Sequence, residues 1–230
     1  MQRFQYSQQR YLHQDVLFIQ FAKAPRAGKV KTRLIPGLGA EGACQLHTVL
    51  VAHVLEQLLG SRLAPVALYS DQPDSPALGE ICKPIFATYG EQLTLCAQHG
   101  EQLGERMANA FSHHLTAGES PVSKVILVGS DCPGLDNEYL QQAIAALDKD
   151  VDLVFGPAED GGYVLIGMSR HHPQVFEDID WGSDQVLTQS LARVEREGLT
   201  ATLLPPRADI DRVDDLALLS QYGVDFTWGH

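Results

Sequence analysis

Hydrophobic and polar positions follow two rhythms along this chain. Val16–Ala22 (VLFIQFA), Pro65–Tyr69, Leu93–Ala97 and Lys124–Ser130 (KVILVGS) are short apolar runs with β-branched and aromatic members, the pattern of strands buried in a sheet. Leu153–Phe155, Gly162–Gly167 (GYVLIG) and Ala201–Leu204 are further strand-sized runs. Between them the period changes. Ala43, Leu46, Leu50, Val54 and Leu58, and then Leu103, Met107, Ala110, Phe111 and Leu115, recur at three- and four-residue steps, which predicts amphipathic helices. Helices are also predicted over Asn137–Leu147, Asp184–Glu197 and Val213–Gln221, with an irregular loop over Lys23–Gly39 and turns at SDQPDSP. Strands alternating with helices predict βαβ units, hence a single-domain, three-layer α/β/α fold around a mostly parallel sheet. Residues 1–14 read as a variable, Gln-rich leader and residues 15–230 as the domain. Ligands of such sheets sit at the carboxyl ends of the strands, so the loops after strands are where chemistry is sought.

Composition narrows this picture. The 230 residues suit one α/β domain, and 44% hydrophobic with 20% charged residues excludes disordered, collagenous and coiled-coil classes. Seventeen Lys and Arg against 29 Asp and Glu give a net charge of -12, which argues against nucleic acid or an anionic membrane as a general partner. No apolar run approaches a membrane span, and the start of the chain lacks the apolar core of a signal peptide. Cys44, Cys82, Cys96 and Cys132 form no CxxC pair and no zinc spacing, so they read as reduced thiols of a cytoplasmic protein.

Against that acidic background the loop after the first strand stands out. Lys23, Arg26, Lys29, Lys31 and Arg33 follow one another with no Asp or Glu between Val16 and Ala40, while Pro25, Gly28, Pro36 and Gly37 keep the backbone irregular. Cations and free backbone N–H groups at a strand end suit phosphate binding; the plainer reading is a solvated basic loop. The loop fails the P-loop pattern, which needs Gly in place of Lys23 and Ser or Thr in place of Val30. Asp131 ends the KVILVGS run, where it can hold Mg²⁺ or Mn²⁺ or cap a turn, and the neighbouring Cys132 reads as a packed small hydrophobe. In ADIDRVDDL, Asp209 and Asp211 share one side of an extended segment, with Asp211 the stronger second metal contact; Asp214 and Asp215 suit a helix start. Glu159, Asp160, Gly161 and Gly162 join two apolar runs, either as a hairpin turn or as an acidic, glycine-lined site for sugar hydroxyls. The pairs His113-His114 and His171-His172 point in different directions and do not suit one metal ion.

FAKAPRAGKVKTRL, QHGEQLGERMANAF, VGSDCPGL, GPAEDGGYVLIG, WGSDQV and DIDRVDDL, in this order, resemble the bacterial DUF2064 family, also called selenodomain-associated or arsenosugar-biosynthesis-type glycosyltransferases. The resemblance runs from about Val16 to Tyr222 and implies a GT-A-like nucleotide-diphospho-sugar transferase fold, similar to nucleotidyltransferases such as the molybdenum-cofactor guanylyltransferase. It further implies that Lys23, Arg26, Lys31 and Arg33 meet nucleotide phosphates, that Asp131 and Asp211 hold Mg²⁺ or Mn²⁺, and that the Asp160-Gly161-Gly162 turn lines the sugar or acceptor site. Two departures stand out: Glu101-Gln102 replaces the Gly-Asp that commonly precedes LGERM, and GSDCP lacks a full D-x-D.

The leading expectation is metal-dependent glycosyl transfer from a nucleotide-sugar to a small-molecule acceptor, with Glu159 or Asp160 as general base. The rival enzyme is a nucleotidyltransferase that joins an NTP to a phosphorylated or carboxylated acceptor and releases pyrophosphate. The third reading is a nucleotide-binding protein without turnover. Nucleotide base, sugar, acceptor and oligomeric state are not legible in the residues.

Overall fold

A computed structural model describes residues 11–116 and 122–228. Most of the expected leader, residues 1–10, lies outside the described residues. The end of the leader is tied down, since Leu12 and His13 donate backbone hydrogen bonds to the carbonyls of Arg62 and Leu63.

Seven strands form one sheet: β1 (Val16–Ala22), β2 (Val66–Ser70), β3 (Leu93–Ala97), β4 (Lys124–Val128), β5 (Leu153–Pro157), β6 (Tyr163–Met168) and β7 (Ala201–Leu203), in the order β3-β2-β1-β4-β6-β5-β7. All pairings are parallel except those of β6, which runs antiparallel to both β4 and β5. The mostly parallel α/β/α sheet expected from the periodicity is the observed one. Its central strands β1 and β4 are apolar on both sides because helices cover both faces. Phe18, Val66, Ile126 and Leu165 pack beneath α1 (Ile35–Ser61), α2 (Pro76–Tyr89) and α4 (Asn137–Leu147). Ile19, Tyr69, Leu127 and Phe155 pack on the other face, with Met107 and Phe111 of α3 (Leu103–Leu115) and Val194 of α5 (Val186–Arg196).

Four local features have physical causes that the sequence pattern conveys only in part. α2 is missing from the expected elements, which give only turns at SDQPDSP before β3, and it carries Pro84 in its interior. Yet Pro76 stands at the start of the helix, where its missing N–H costs nothing, and Leu78, Ile81, Cys82 and Ile85 make its buried stripe. α1 begins inside the expected loop, at Ile35, and is interrupted at Gly39, whose φ of 71° only glycine adopts freely. The expected last helix is a run of 3₁₀ turns over Val213–Tyr222. The segment after β5 is a hairpin connection, as its turn residues suggest: Ala158 N–H donates to the Gly162 carbonyl.

This topology puts the end of β1, the end of β4 and the β5–β6 hairpin at one edge of the sheet. Buried polar groups fix their relative positions. Gln20 donates to Ser130 Oγ (2.9 Å) and to the Val51 carbonyl (3.1 Å), and Ser130 donates onward to the Phe21 carbonyl (2.8 Å). Among the described residues no helix is long and apolar enough to cross a membrane.

Candidate active site

Of the five cations of the basic loop, Lys23, Arg26, Lys29 and Arg33 stay exposed and Lys31 turns inward. Lys31 adopts a left-handed backbone (φ 48°), turning its side chain inward until only 2% of it is exposed. Its ammonium meets Asp131 Oδ1 at 2.9 Å and Asp211 Oδ1 at 3.8 Å, and it donates to the Ile210 carbonyl. Arg33 reaches the other oxygen of Asp211. The DIDRVDDL segment is held against the end of β4 by Ile210 N–H, which donates to the Asp131 carbonyl (2.8 Å). Asp215 accepts from the N–H groups of Asp211 (2.9 Å) and Arg212 (2.6 Å), which is the capping role expected of it. Behind the loop, His47 of α1 hydrogen-bonds the Lys23 carbonyl at 2.9 Å; burial lowers its pKa and keeps the ring neutral, so Nε2 carries the donated hydrogen.

The result is a cleft of two adjoining chambers that share Phe21, Arg33, Leu103, Gly129 and Asp131. The larger, about 650 Å³, is basic: Lys23, Lys29, Lys31, Arg33 and Arg106 border it. The smaller, about 250 Å³, is apolar and aromatic, with Met107, Tyr163 and Trp181 in its walls, and acidic at Asp160 and Asp209.

The expected site residues distribute themselves unequally over this cleft. Lys23, Lys31 and Arg33 border the basic chamber, whereas Arg26 borders neither, its guanidinium being paired with Asp71 (2.8 Å) after β2. Asp131 borders both chambers, Asp211 the basic one, and Asp160 and Gly162 the apolar one. Glu159 faces away into a separate cavity of about 510 Å³ beside Asp136 and Arg207. Gly161 borders neither chamber; it is a point of close packing against Asp184. Cys132 is buried, with its thiol pushed up to about 12 by desolvation, and behaves as the packed small hydrophobe expected there.

Sequence reasoning missed one participant and underrated another. Arg106, on the first turns of α3, is braced by the carbonyls of Gly100 and Glu101 and by Gln98; its signal was its place in QHGEQLGERM beside a strand end. Asp209 ranks below Asp211 in the sequence pattern and forms no ion pair among the described residues, although the charge of Lys31 reaches it. Burial first, and the charge of Asp160 second, raise its pKa to about 6. Asp131 shows the opposite balance: burial pushes it up, but the Lys31 ammonium outweighs this and holds it below the ordinary value.

The Asp209 shift has a measurable consequence. A carboxyl whose folded pKa lies above its ordinary 3.8 keeps a proton that the unfolded chain releases, so wild-type stability falls as pH rises through the window from 3.8 to about 6 and stays lost above it. Asp209→Asn is therefore expected to stabilise the protein at neutral pH by about 1–2 kcal/mol, a figure reduced for partial solvent access. The gain should vanish below pH ~4. Chemical denaturation of both proteins across that range is the check; a gain independent of pH would contradict the assignment.

A Mg²⁺ or Mn²⁺ ion finds only part of a ligand set here. Among the described residues no three His, Cys, Asp or Glu side chains converge to hold a metal ion. Both oxygens of Asp211 face cations, while Asp131 has Oδ1 buried against Lys31 but the carboxylate side chain 47% exposed to the cleft. Mg²⁺ commonly takes one or two carboxylates and completes its shell with substrate phosphates and water. The residues thus fit a cation that arrives with a diphosphate, held by Asp131, and not one held by protein alone.

The profile of the family described as uncharacterized protein conserved in bacteria (DUF2064) matches residues 54–183. The chain belongs to the DUF2064 family. Among solved structures, this DUF2064 chain is similar to a protein of Desulfovibrio desulfuricans G20 described as a candidate nucleotide-diphospho-sugar transferase. The two are 34% identical, with 90% of this chain and 87% of that one covered at a TM-score of 0.76. A CMP:2-keto-3-deoxy-manno-octonic acid synthetase complexed with CTP (12% identity, 90% and 99% covered, TM-score 0.55) shares the fold. So does a 4-diphosphocytidyl-2C-methyl-D-erythritol synthase from Anaerococcus prevotii DSM 20548 (11%, 91% and 96%, TM-score 0.56). No curated protein matches the chain.

Proposed function

We propose that this DUF2064 protein is a transferase that binds a nucleotide-sugar across the basic chamber and moves the glycosyl group to a small-molecule acceptor in the apolar one. The observation that carries this reading is the pairing of the two chambers at Asp131. One side offers five cationic side chains, the other an aromatic, acidic recess, and a diphosphate bridge lying over Arg33 would present its sugar to the second. The 34% identical relative described as a candidate nucleotide-diphospho-sugar transferase supports the same donor class.

In this reading Lys23, Arg33 and Arg106 bind the diphosphate and stabilise the charge that grows on it as the sugar–phosphate bond breaks, while the buried Lys31 adds its charge from behind and positions Asp131 and Asp211. A divalent cation bound with the donor at Asp131 would supply further Lewis-acid neutralisation of the leaving group. Asp160, in the acceptor chamber, takes the proton from the acceptor hydroxyl. Glu159 is not assigned that role, because it faces the other cavity. Nucleotidyl transfer to a phosphorylated or carboxylated acceptor is the weaker reading, since such an acceptor would have to enter a chamber bordered by Asp131, Asp160 and Asp209.

The test is a thermal-shift panel of nucleoside triphosphates and nucleotide-sugars with and without Mn²⁺, followed by product analysis with the stabilising donors. Release of nucleoside diphosphate with transfer of labelled sugar is expected; release of pyrophosphate from a triphosphate would establish the rival reaction. The metal assignment adds a calorimetric prediction. Mg²⁺ affinity should rise about tenfold or more when UDP or GDP, whichever binds, is present, because phosphate oxygens complete the ligand set. Equal affinity with and without nucleotide would place the ion elsewhere.

A further inference from the structure

Resting on that reading, we infer that the acceptor is a cation: a molecule with an apolar or aromatic body and a protonated amine that pairs with Asp209. Three features of the smaller chamber lead there. Its surface is built for an apolar ligand: Leu103 is 46% exposed at the junction of the chambers, and Met107, Trp181 and Tyr163 line the recess. An exposed leucine beside an aromatic recess loses contact with water only when a ligand covers it.

Its charge is the second feature. Asp131 and Asp211 are matched by Lys31 and Arg33, but Asp209 has no ion-pair partner among the described residues. Asp160 has none among them either, and its Oδ1 is engaged by the Gly162 N–H at 3.0 Å. Among the described residues Arg33 is the one cation on the walls of this chamber, and Asp211 already holds it. Arg33 also feels the charges of Asp160 and Asp209, yet three carboxylates (Asp131, Asp160 and Asp209) against this one guanidinium leave the walls net negative, so an ammonium is favoured there over a phosphorylated or carboxylated ligand.

The third feature is the aromatic wall. Trp181 and Tyr163 meet edge to face, with ring centroids 6.3 Å apart, in the same recess as the two acids. Aromatic walls and carboxylates together favour a cation attached to an apolar skeleton over a hydrated metal ion, which gains nothing from the apolar walls.

Three probes sharing one phenol body isolate the charge: tyramine, 4-ethylphenol and 4-hydroxyphenylacetate, titrated calorimetrically into the full chain. Tyramine should bind at least tenfold more tightly than 4-ethylphenol, and 4-hydroxyphenylacetate more weakly than either. Asp209→Asn should erase the preference for tyramine while leaving 4-ethylphenol binding within about twofold. Equal binding of tyramine and 4-ethylphenol, tighter binding of the acid, or no binding of any probe overturns the inference. It is also overturned if Mg²⁺ alone binds and loses its affinity in Asp209→Asn while tyramine binding is unaffected, since Asp209 is then a metal ligand. Nucleotide titrations on the same preparation keep the two readings apart: nucleotide binding without a tyramine preference defeats the amine acceptor alone, and tyramine binding without any nucleotide binding defeats the donor assignment.

Discussion

Lys31→Met is expected to lower turnover by about 10²-fold or more and to weaken nucleotide binding in parallel, while the protein remains folded. The side chain of Lys31 is almost wholly buried, and its ammonium joins the end of β4, through Asp131, to the DIDRVDDL segment, through Ile210 and Asp211. Removing it leaves Asp131 and Asp211 without their shared partner and takes a positive charge from behind the place where the donor's diphosphate is proposed to lie. Breaking a fully buried ion pair costs about 3–5 kcal/mol; here about 1–3 kcal/mol is expected, because Asp131 is half exposed and water can reach it. The pH dependence identifies the cause. Lys31 holds the Asp131 pKa below its ordinary value, so this contribution is complete above that value and disappears as pH falls through the lowered one. Wild type and variant should therefore differ most at neutral pH and converge in acid, where Asp131 is protonated in both. Denaturant unfolding at several pH values, beside nucleotide titration at neutral pH, measures both effects. Near-normal turnover in the variant would remove Lys31 from the phosphate site.

How much of this was legible in the residues depended on whether a feature was local. β1 and β4 announced themselves because a strand covered on both faces must be apolar throughout, and Asp131 stood out as the first carboxylate after such a run. The basic loop was legible because five cations without an intervening acid are anomalous in a chain of charge -12. Its internal division was not. Arg26 and Lys31 look alike in sequence, and only the return of Asp71 from β2 and of Asp211 from the far end of the chain sorts one to the outside and the other to the centre. The same holds for Glu159 and Asp160, adjacent in sequence, which the hairpin directs into different cavities. Asp209 is undervalued by its spacing for a related reason. Its chemistry comes from what surrounds it, burial and the charge of Asp160, and neither is written in DIDRVDDL. Asp209 and Asp211 show the contrast: one carboxylate lies in the cleft without an ion pair while its neighbour is held by Lys31 and Arg33.

Gly161→Ala is the second large effect, and it bears on how the apolar chamber is built. The DGGY motif invites the idea that both glycines contact a sugar, but Gly161 borders neither chamber. It has φ 92°, and a Cβ added there would lie 2.1 Å from the backbone carbonyl oxygen of Asp184. Its own carbonyl accepts from the Leu187 N–H at 2.9 Å, so the hairpin and the start of α5 are locked together at this point. Gly104 of α3 does the same from the other side: a Cβ there would meet the Phe176 carbonyl at 2.7 Å and the Trp181 ring at 3.0 Å. Three motifs distant in sequence, LGERM, DGGY and WGSDQV, thus converge because two missing side chains let the Trp181 segment close onto the hairpin and α3. A methyl group at Gly161 adds backbone strain of about 1–3 kcal/mol to an overlap with main chain that no side-chain rotation can relieve. A total loss of about 2–4 kcal/mol is expected, far above that of a surface substitution. The effect should be selective: with Trp181 and Asp184 pushed outward, the apolar chamber opens while the basic chamber, fixed by Lys31 and Gln20, is unchanged. Nucleotide affinity in Gly161→Ala should then stay within about threefold of wild type, with tyramine binding and Trp181 fluorescence altered, the latter read in a Trp228→Phe background. If nucleotide affinity fell as much as tyramine affinity, the two chambers would not be independent, and the hairpin would have to be assigned to the donor site as well.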